Sequence, residues 1–344
     1  MKLIRPPRLN PGATLGIIAP ASAPPDPKNV ARAIAVLEKL GYKIKLAPNV
    51  HQRLGYLAGS DRDRASDLMR MFTDPKVDAI LCVRGGYGTA RLLPLLDYQA
   101  IRANAKIFVG YSDITSLHCA FLTKAGLVSF HGPMLNSDFA AQELPDFTVQ
   151  SFLRTLASNP PESGRASHSG RAALGKETRG GQGTARPTID IAAGYPDQTV
   201  KTLRRGIARG PLIGGNLALL CTVIGTPWQP SFKNAILFLE DVGEAPYRWD
   251  RMFTYLSNCG LLQQVAGIAI GLNADCEDPQ ARTAKEYRQT LAEVLRERLL
   301  PLKIPVVTGL PFGHVPMNAT LPVGIQAELD ANHGMLRLLE AGIR

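Results

Sequence analysis

The run Lys106-Ile-Phe-Val-Gly-Tyr-Ser-Asp-Ile is the strongest chemical constellation in this 344-residue chain. An apolar strand runs into Gly110-Tyr111-Ser112, and the pattern predicts a helix from Asp113. A serine in a sharp strand-to-helix turn is held out of the sheet with Oγ exposed, and it faces the positive end of the helix dipole. The backbone N–H of Asp113 then points to where an oxyanion would form. Two readings stay open: Ser112 is a nucleophile, or it only caps a helix. The G-x-S-x-G elbow has glycine where this chain has Ile114. A second candidate is Arg84-Gly85-Gly86-Tyr87-Gly88, after the apolar strand Asp78–Val83. N–H groups in such a turn bind anions. The pattern is neither a Walker motif nor G-x-G-x-x-G, and a plain tight turn is the alternative.

A nucleophilic serine needs a base, and the base needs an orienting carboxylate. The chain has six histidines: 51, 118, 131, 168, 314 and 333. His314 follows the predicted strand Val306–Leu310 at its carboxyl end, a position suited to function. His118 reads as packed or capping, while His168 and His333 read as solvated. His131 follows a strand and could line a site without an assigned role, and His51 has no assigned place. For the carboxylate, Glu240 ends the apolar strand Ala235–Leu239, and Glu244 is a substitute four residues on. An acid at the mouth of a buried strand is usually paired or functional. No HExxH, HxxxH or carboxylate cluster with metal-ligand spacing occurs, so no metal is expected.

The elements that must position these residues alternate. Strands are predicted at Thr14–Ala19, Tyr42–Leu46, Asp78–Val83 and Lys106–Val109. Helices are predicted at Lys28–Leu40, Asp61–Phe72, Thr89–Leu96 and Asp113–Lys124. This order implies a doubly wound parallel sheet with helices on both faces, which binds ligands at the carboxyl ends of its strands. From about Pro160 to Gly210 the pattern dissolves into Gly, Ser, Ala and Arg, as in a linker or mobile insertion. Order resumes at Leu212, where Asn216 could cap a helix through Leu220–Ile224. Strands follow at Ala235–Leu239, Gly267–Ile270 and Val306–Leu310, with helices at Trp249–Leu256 and near Ala284–Leu299. A hairpin turns at Asn332-His333-Gly334. The expected class is α/β: an N-terminal doubly wound domain (1–159), the segment 160–210, and a smaller C-terminal α/β domain (211–344), with the active site between them.

Composition narrows the function further. Hydrophobic residues at 45% and charged residues at 20% exclude a disordered chain and a membrane bundle. Five scattered cysteines without CxxC argue against a disulfide framework or structural zinc and suit a reducing compartment. No signal-like run or long apolar segment appears, so membrane insertion is not expected and the cytoplasm is the default location. The net charge is +10, and residues 160–210 carry nine Lys/Arg against four Asp/Glu. That excess reads first as a solvated face. Contact with nucleic acid is the weakest option and is not expected.

Several motifs, in order, carry a resemblance. They are Ala58-Gly-Ser-Asp-Arg-Asp-Arg-Ala-Ser-Asp-Leu, Val83-Arg-Gly-Gly-Tyr-Gly, Gly110-Tyr-Ser-Asp-Ile-Thr, His131-Gly-Pro-Met, Gly214-Gly-Asn-Leu, Leu239-Glu-Asp-Val-Gly-Glu and Gly309-Leu-Pro-Phe-Gly-His. The chain resembles the LD-carboxypeptidases, serine peptidases of peptidoglycan recycling also called muramoyltetrapeptide carboxypeptidases, over nearly its whole length except about 160–210. The resemblance implies a Ser112-His314-Glu240 triad spanning both domains and completed by closure of their cleft. It implies an oxyanion hole from the N–H groups of Asp113 and the Gly86 turn, with Arg84 a candidate anion contact. It implies a murein tetrapeptide or related muropeptide as substrate, no cofactor, and a homodimer. Two alternatives stand beside it. One is a related hydrolase giving immunity to a peptide-nucleotide antibiotic. The other is a non-catalytic two-domain ligand-binding protein.

Overall fold

Uncharged runs rich in Val, Ile and Leu form strands buried on both faces, and Thr14–Ile18 (β1) is the first of them. The computed structural model describes residues 1–157, 188–276 and 289–344. Pro27–Lys39 (α1) follows, capped by the Asp26 carboxylate and opened by Pro27 at the first helical position. Lys43–Leu46 (β2), Asp61–Thr73 (α2) and Ala79–Cys82 (β3) continue the alternation, and Tyr98–Ala103 (α3) leads into Ile107–Gly110 (β4). Thr115–Ala120 (α4), Ser129–His131 (β5) and Asp146–Leu156 (α5) complete the first half.

Two predicted helices differ. Thr89–Leu95 is a 3₁₀ stretch containing Pro94, which lacks the N–H an α-helix needs. The helix expected over 113–124 breaks into a 3₁₀ turn at Ser112–Ile114, then α4, then a wider turn at Phe121–Ala125.

The first sheet runs in the order β2-β1-β3-β4-β5, all parallel. Such an order changes winding direction between β1 and β3, and the crevice at that switch point is where ligands bind. The turn 84–88 leaves β3 there, and the turn holding Ser112 leaves the neighbouring β4.

The second half begins within the segment expected to be a linker. Residues 158–187, including His168, lie outside the described residues. The described remainder forms Ile189–Asp190 (β6), Lys201–Arg204 (β7) and the start of Ile207–Asn216 (β8). The C-terminal unit therefore starts before the expected boundary at 211. β6 and β7 are short edge strands, and β8 is an interior strand interrupted by Gly210, Gly214 and Gly215, so no apolar period announces them. Leu217–Val223 (α6), Ile236–Glu240 (β9), Pro246–Asn258 (α7), Gly267–Leu272 (β10), Leu291–Leu299 (α8) and Val306–Gly313 (β11) follow. Part of the helix expected from Ala284 falls on 277–288, outside the described residues. The chain ends with Leu321–Val323 (β12), Gln326–Asp330 (β13) and Met335–Leu338 (β14).

Strands β8, β9, β10 and β11 are parallel, flanked by antiparallel β13, β14 and β6 on one side and β7 on the other. At eight strands this sheet is the wider of the two. β12 leaves its own half and adds antiparallel to β5, pairing Leu321 with His131. No described helix is long and apolar enough to cross a membrane.

The two halves are joined by hydrogen bonds. Thr115 Oγ1, at the start of α4, accepts from the Asn216 N–H at 3.0 Å. Gly215 makes that approach possible, since a Cβ there would lie 2.5 Å from Thr115 Oγ1. Thr148 on α5 donates to Pro316 O at 2.8 Å and accepts from Asn318 N at 2.9 Å. These bonds hold the segment that follows His314. Gly215→Ala is expected to lower stability by about 1–3 kcal/mol through strain at φ +138° and crowding of Thr115. Urea unfolding checks this against Gly225→Ala, a positive-φ glycine with open space around it, which should fall less.

Candidate active site

The turn after β4 is strained where chemistry is expected. Ser112 has φ +63°, a left-handed backbone rare outside glycine. Strain of this kind persists only when the surroundings fix it. Three contacts do so. Gly85 lies so close that a Cβ on it would fall 2.7 Å from Ser112 Cβ and 2.9 Å from Oγ. His118 sits 2.8 Å from Gly110 O through Nε2 and 2.8 Å from Ser129 Oγ through Nδ1. The carbonyl only accepts, so Nε2 carries the proton, and burial pulls the His118 pKa down to about 4. Asp113 points inward, accepting from Thr89 N–H at 2.8 Å, while its carbonyl accepts from Thr89 Oγ1.

The Gly-rich turn is held from behind by a buried guanidinium. Arg64, on α2, donates to Pro20 O and to Gly88 O, the latter at 3.0 Å, and pairs with Asp61. Ser22 N–H donates to Gly85 O at 3.3 Å, and Ser22 Oγ accepts from Tyr87 N–H at 3.2 Å. Arg84 is half-buried and its Nη1 reaches Ala23 O at 3.5 Å.

His314 and Glu240 come from the other half. β9 is buried throughout and ends in Glu240, which has no exposure. β11 runs on past Leu310 to Gly313, so His314 leaves the strand beside it. His314 Nδ1 donates to Glu240 Oε2 at 2.7 Å. Gly313 permits the contact: at φ +120°, a Cβ there would lie 3.0 Å from Glu240 Cβ. Of the two candidate acids, Glu240 meets the imidazole, while Glu244 pairs with Arg248. Burial pulls the His314 pKa down, but the Glu240 hydrogen bond and charge, backed by Asp241 and Asp138, raise it above the ordinary value. Tyr111 packs its ring edge-on to His314, with centroids 4.9 Å apart. No hydrogen bond joins Ser112 to His314 among the described residues. A cavity of about 460 Å³ opens beside His314, lined also by Tyr111, Asp138, Gln142 and Glu143.

Comparison with known proteins fits this geometry. Residues 15–132 match the LD-carboxypeptidase N-terminal domain, and residues 209–329 match the LD-carboxypeptidase C-terminal domain. The chain belongs to the LD-carboxypeptidase family. It is 35% identical over 339 residues to the "Probable murein peptide carboxypeptidase" of Bacillus subtilis, covering 98% of this chain and 95% of that protein. The microcin C7 self-immunity protein MccF of Escherichia coli is 29% identical over 331 residues, covering 90% of this chain and 87% of that protein. A solved structure of MccF in complex with glutamyl sulfamoyl guanosine matches with TM-score 0.82 at 27% identity, covering 99% of each chain. The muramoyltetrapeptide carboxypeptidase from Oxalobacter formigenes matches with TM-score 0.76 at 32% identity, over 95% of this chain and 98% of that one.

In this LD-carboxypeptidase family member, one site-forming residue escaped the sequence pattern. Asp241 accepts from Asn216 Nδ2 at 2.8 Å, Ala218 N at 2.9 Å and Val242 N at 2.9 Å. It thereby ties the ends of β8 and β9 to α6. Burial, then the Glu240 charge, pushes its pKa up to about 6. Its place after Glu240 was the available signal. His131 is fully buried, with neither ring nitrogen partnered among the described residues and the rings of Tyr111, Phe238 and Phe312 around it. Burial holds it neutral, far below the ordinary imidazole pKa. His333 pairs with Asp330 at 2.8 Å, and His51 is exposed. No group of three or more His, Cys, Asp or Glu that could hold a metal occurs among the described residues.

The raised His314 pKa has a definite sign. The native ring binds its proton more tightly than the unfolded one, so this stabilisation is full below about pH 6.5. It is lost as pH rises through the native pKa. Glu240→Gln should bring the His314 pKa below its native value, read from the ring C–H shifts in an NMR titration. An unchanged value would show that the contact does not hold in solution.

Proposed function

We propose that this protein is a serine LD-carboxypeptidase that releases the terminal D-alanine from a murein tetrapeptide or related muropeptide. The 2.7 Å contact between His314 and Glu240, opposite a serine held in a left-handed elbow, carries the reading. Glu240 fixes the tautomer with the proton on Nδ1, which leaves Nε2 to act as base. Nε2 takes the Ser112 proton as Oγ attacks the carbonyl of the L-configured centre of the diamino acid. The N–H groups of Asp113 and of the Gly86 turn receive the oxyanion. His314 then protonates the leaving D-alanine, and water, activated by the same ring, clears the acyl-enzyme. The hydrogen bond from Ser112 to His314 tightens in the Michaelis complex, as such bonds commonly do. Arg84, at the same turn, is the proposed contact for the substrate carboxylate. The same reading places the protein in the cytoplasm as a homodimer, which light scattering of the purified chain tests.

D-alanine release from purified tetrapeptide is the direct test. Ser112→Ala should lower kcat by at least about 10³-fold while leaving the fold intact. Full activity in the folded variant overturns the mechanism. His314 must be neutral to act as base, so kcat/KM should fall as pH drops through its native pKa, which lies above 6.5. Glu240→Gln should move that limb to lower pH and cost up to about 10⁴-fold in rate.

The match to MccF over the full chain favours one second reading, cleavage of an acyl link near a peptide-nucleotide terminus. The same three side chains would serve it. A side-by-side kcat/KM comparison of the two substrate classes decides between them.

A further inference from the structure

We propose that Asp138 is a positioning residue for His314: a second buried carboxylate, apart from Glu240, that favours the imidazolium formed when Ser112 gives up its proton. The proposal rests on the carboxypeptidase reading above, in which His314 takes that proton.

Asp138 lies in the turn Leu135–Phe139, directly after His131-Gly-Pro-Met134, a motif with no part in the triad. It is only 5% exposed. Its Oδ2 accepts from the Met134 N–H at 2.9 Å and from the Ser137 hydroxyl at 2.7 Å. Both donors are neutral, and no Lys or Arg pairs with the carboxylate among the described residues. A buried carboxylate without a cation is costly, so a neighbour that takes up positive charge relieves it. The turn is clamped in place. Asn136 N–H donates to Val83 O at 2.8 Å. From α1, Asn29 Nδ2 donates to Asn136 Oδ1 at 3.2 Å, and Arg32 Nη1 donates to Ala140 O at 2.9 Å.

The geometry brings this acid to the imidazole. Tyr111, Asp138 and His314 stand in the wall of one cavity of about 460 Å³. A sphere of that volume is about 10 Å across, a range over which a buried charge still acts. Tyr111 links the two groups. Its ring meets that of His314 with centroids 4.9 Å apart and planes at 65°. Its phenol lies beside Ser137 and Asp138, and burial, then the Asp138 charge, push its pKa up, so it stays neutral. Asp138 itself forms no hydrogen bond to His314 among the described residues. Against the effect of burial, its charge adds to those of Glu240 and Asp241 in raising the His314 pKa.

The groups that face His314 divide by element. Glu240 and Asp241 come from the end of β9, Tyr111 follows β4, His131 is on β5, and Asp138 is in the turn after it. Glu143 is exposed on the same cavity wall, where water screens it. Burial holds His131 and Tyr111 neutral. Asp138 is thus the buried anion that the first half of the chain sets against the base. Glu240 fixes the tautomer by direct contact. Asp138 adds charge without contact, and its share matters most once the Ser112 proton is on Nε2 and the ring is a cation. Deacylation, in which Nε2 takes a proton from water, makes the same demand.

Asp138→Asn is a clean test, because both donors use Oδ2 and one amide oxygen can keep them while the charge is lost. Removing an anion makes the imidazolium less favourable. The acid limb of kcat/KM for tetrapeptide should therefore move down by about 0.5–1 pH unit. On the plateau kcat should fall about three- to ten-fold with KM unchanged. A purely structural role would lower kcat and leave the limb where it is, which overturns the proposal. A rise in KM with kcat unchanged would make Asp138 a substrate contact and also overturns it. The His314 ring C–H shifts, followed by NMR in the same variant, should report the same downward move without any substrate. A failure of this proposal then shows as an unmoved His314 pKa, and a failure of the carboxypeptidase reading as no release of D-alanine. Coupling between two titrating groups is reciprocal. In the unaltered protein the carboxyl carbon resonance of Asp138 should therefore step at the His314 midpoint, and a flat trace overturns the proposal even if the variant does not fold.

Discussion

A carboxylate sealed at the end of an apolar strand has to find a donor, and here that donor is one imidazole. Glu240 is fully buried, and its Oε1 has no partner among the described residues, so His314 is the partner that compensates its burial. Removing an ion from water costs several kcal/mol unless good geometry offsets it. That cost constrains the surrounding chain. β11 has to end beside β9, two strands away, and the backbone has to pass close to the carboxylate. Glycines at 271 and 313 meet the second demand, where a Cβ would run into Phe312 or into Glu240 itself.

The two halves are interlocked rather than merely linked. The helix that follows Ser112 is bonded to the end of β8, α5 grips the segment after His314, and β12 completes the first sheet. The position of His314 relative to the Ser112 turn is therefore fixed by contacts from both halves. The halves expected to complete the triad by closing their cleft are joined in this structure by side-chain-to-backbone bonds and by the β12–β5 ladder. A further tie is the row of His131, Tyr111 and His314 rings, which runs from the first sheet to the end of β11.

Three imidazoles near the junction show how environment divides one chemical group into separate roles. His118 has two neutral hydrogen-bond partners, so burial keeps it uncharged as a brace for the elbow. His131 has aromatic neighbours and no hydrogen bond among the described residues, and burial depresses it further. His314 is only partly buried, and the Glu240 hydrogen bond and charge outweigh its desolvation, which makes it the most basic of the three. Desolvation acts on all of them, and only the one beside a carboxylate escapes its consequence.

Much of this was legible in the residues. Gly110-Tyr111-Ser112-Asp113 after a buried strand specifies a sharp turn, because sterics between neighbouring residues suffice to set it. The apolar runs ending at Glu240 and just before His314 place both groups at strand ends for the same local reason. The family motifs then tied these pieces together. What lay beyond reading was any choice that depends on register between distant segments. Which histidine would meet which acid, across 74 residues, was settled by how β9, β10 and β11 align, including two register shifts between β10 and β11. The edge strands β6 and β7 and the transfer of β12 to the edge of the first sheet were hidden similarly, since an edge strand needs a partner more than it needs a pattern. Sequence fixes the shape of a turn because its causes are adjacent atoms. Only the folded chain decides a pairing, because its cause is the packing of everything in between.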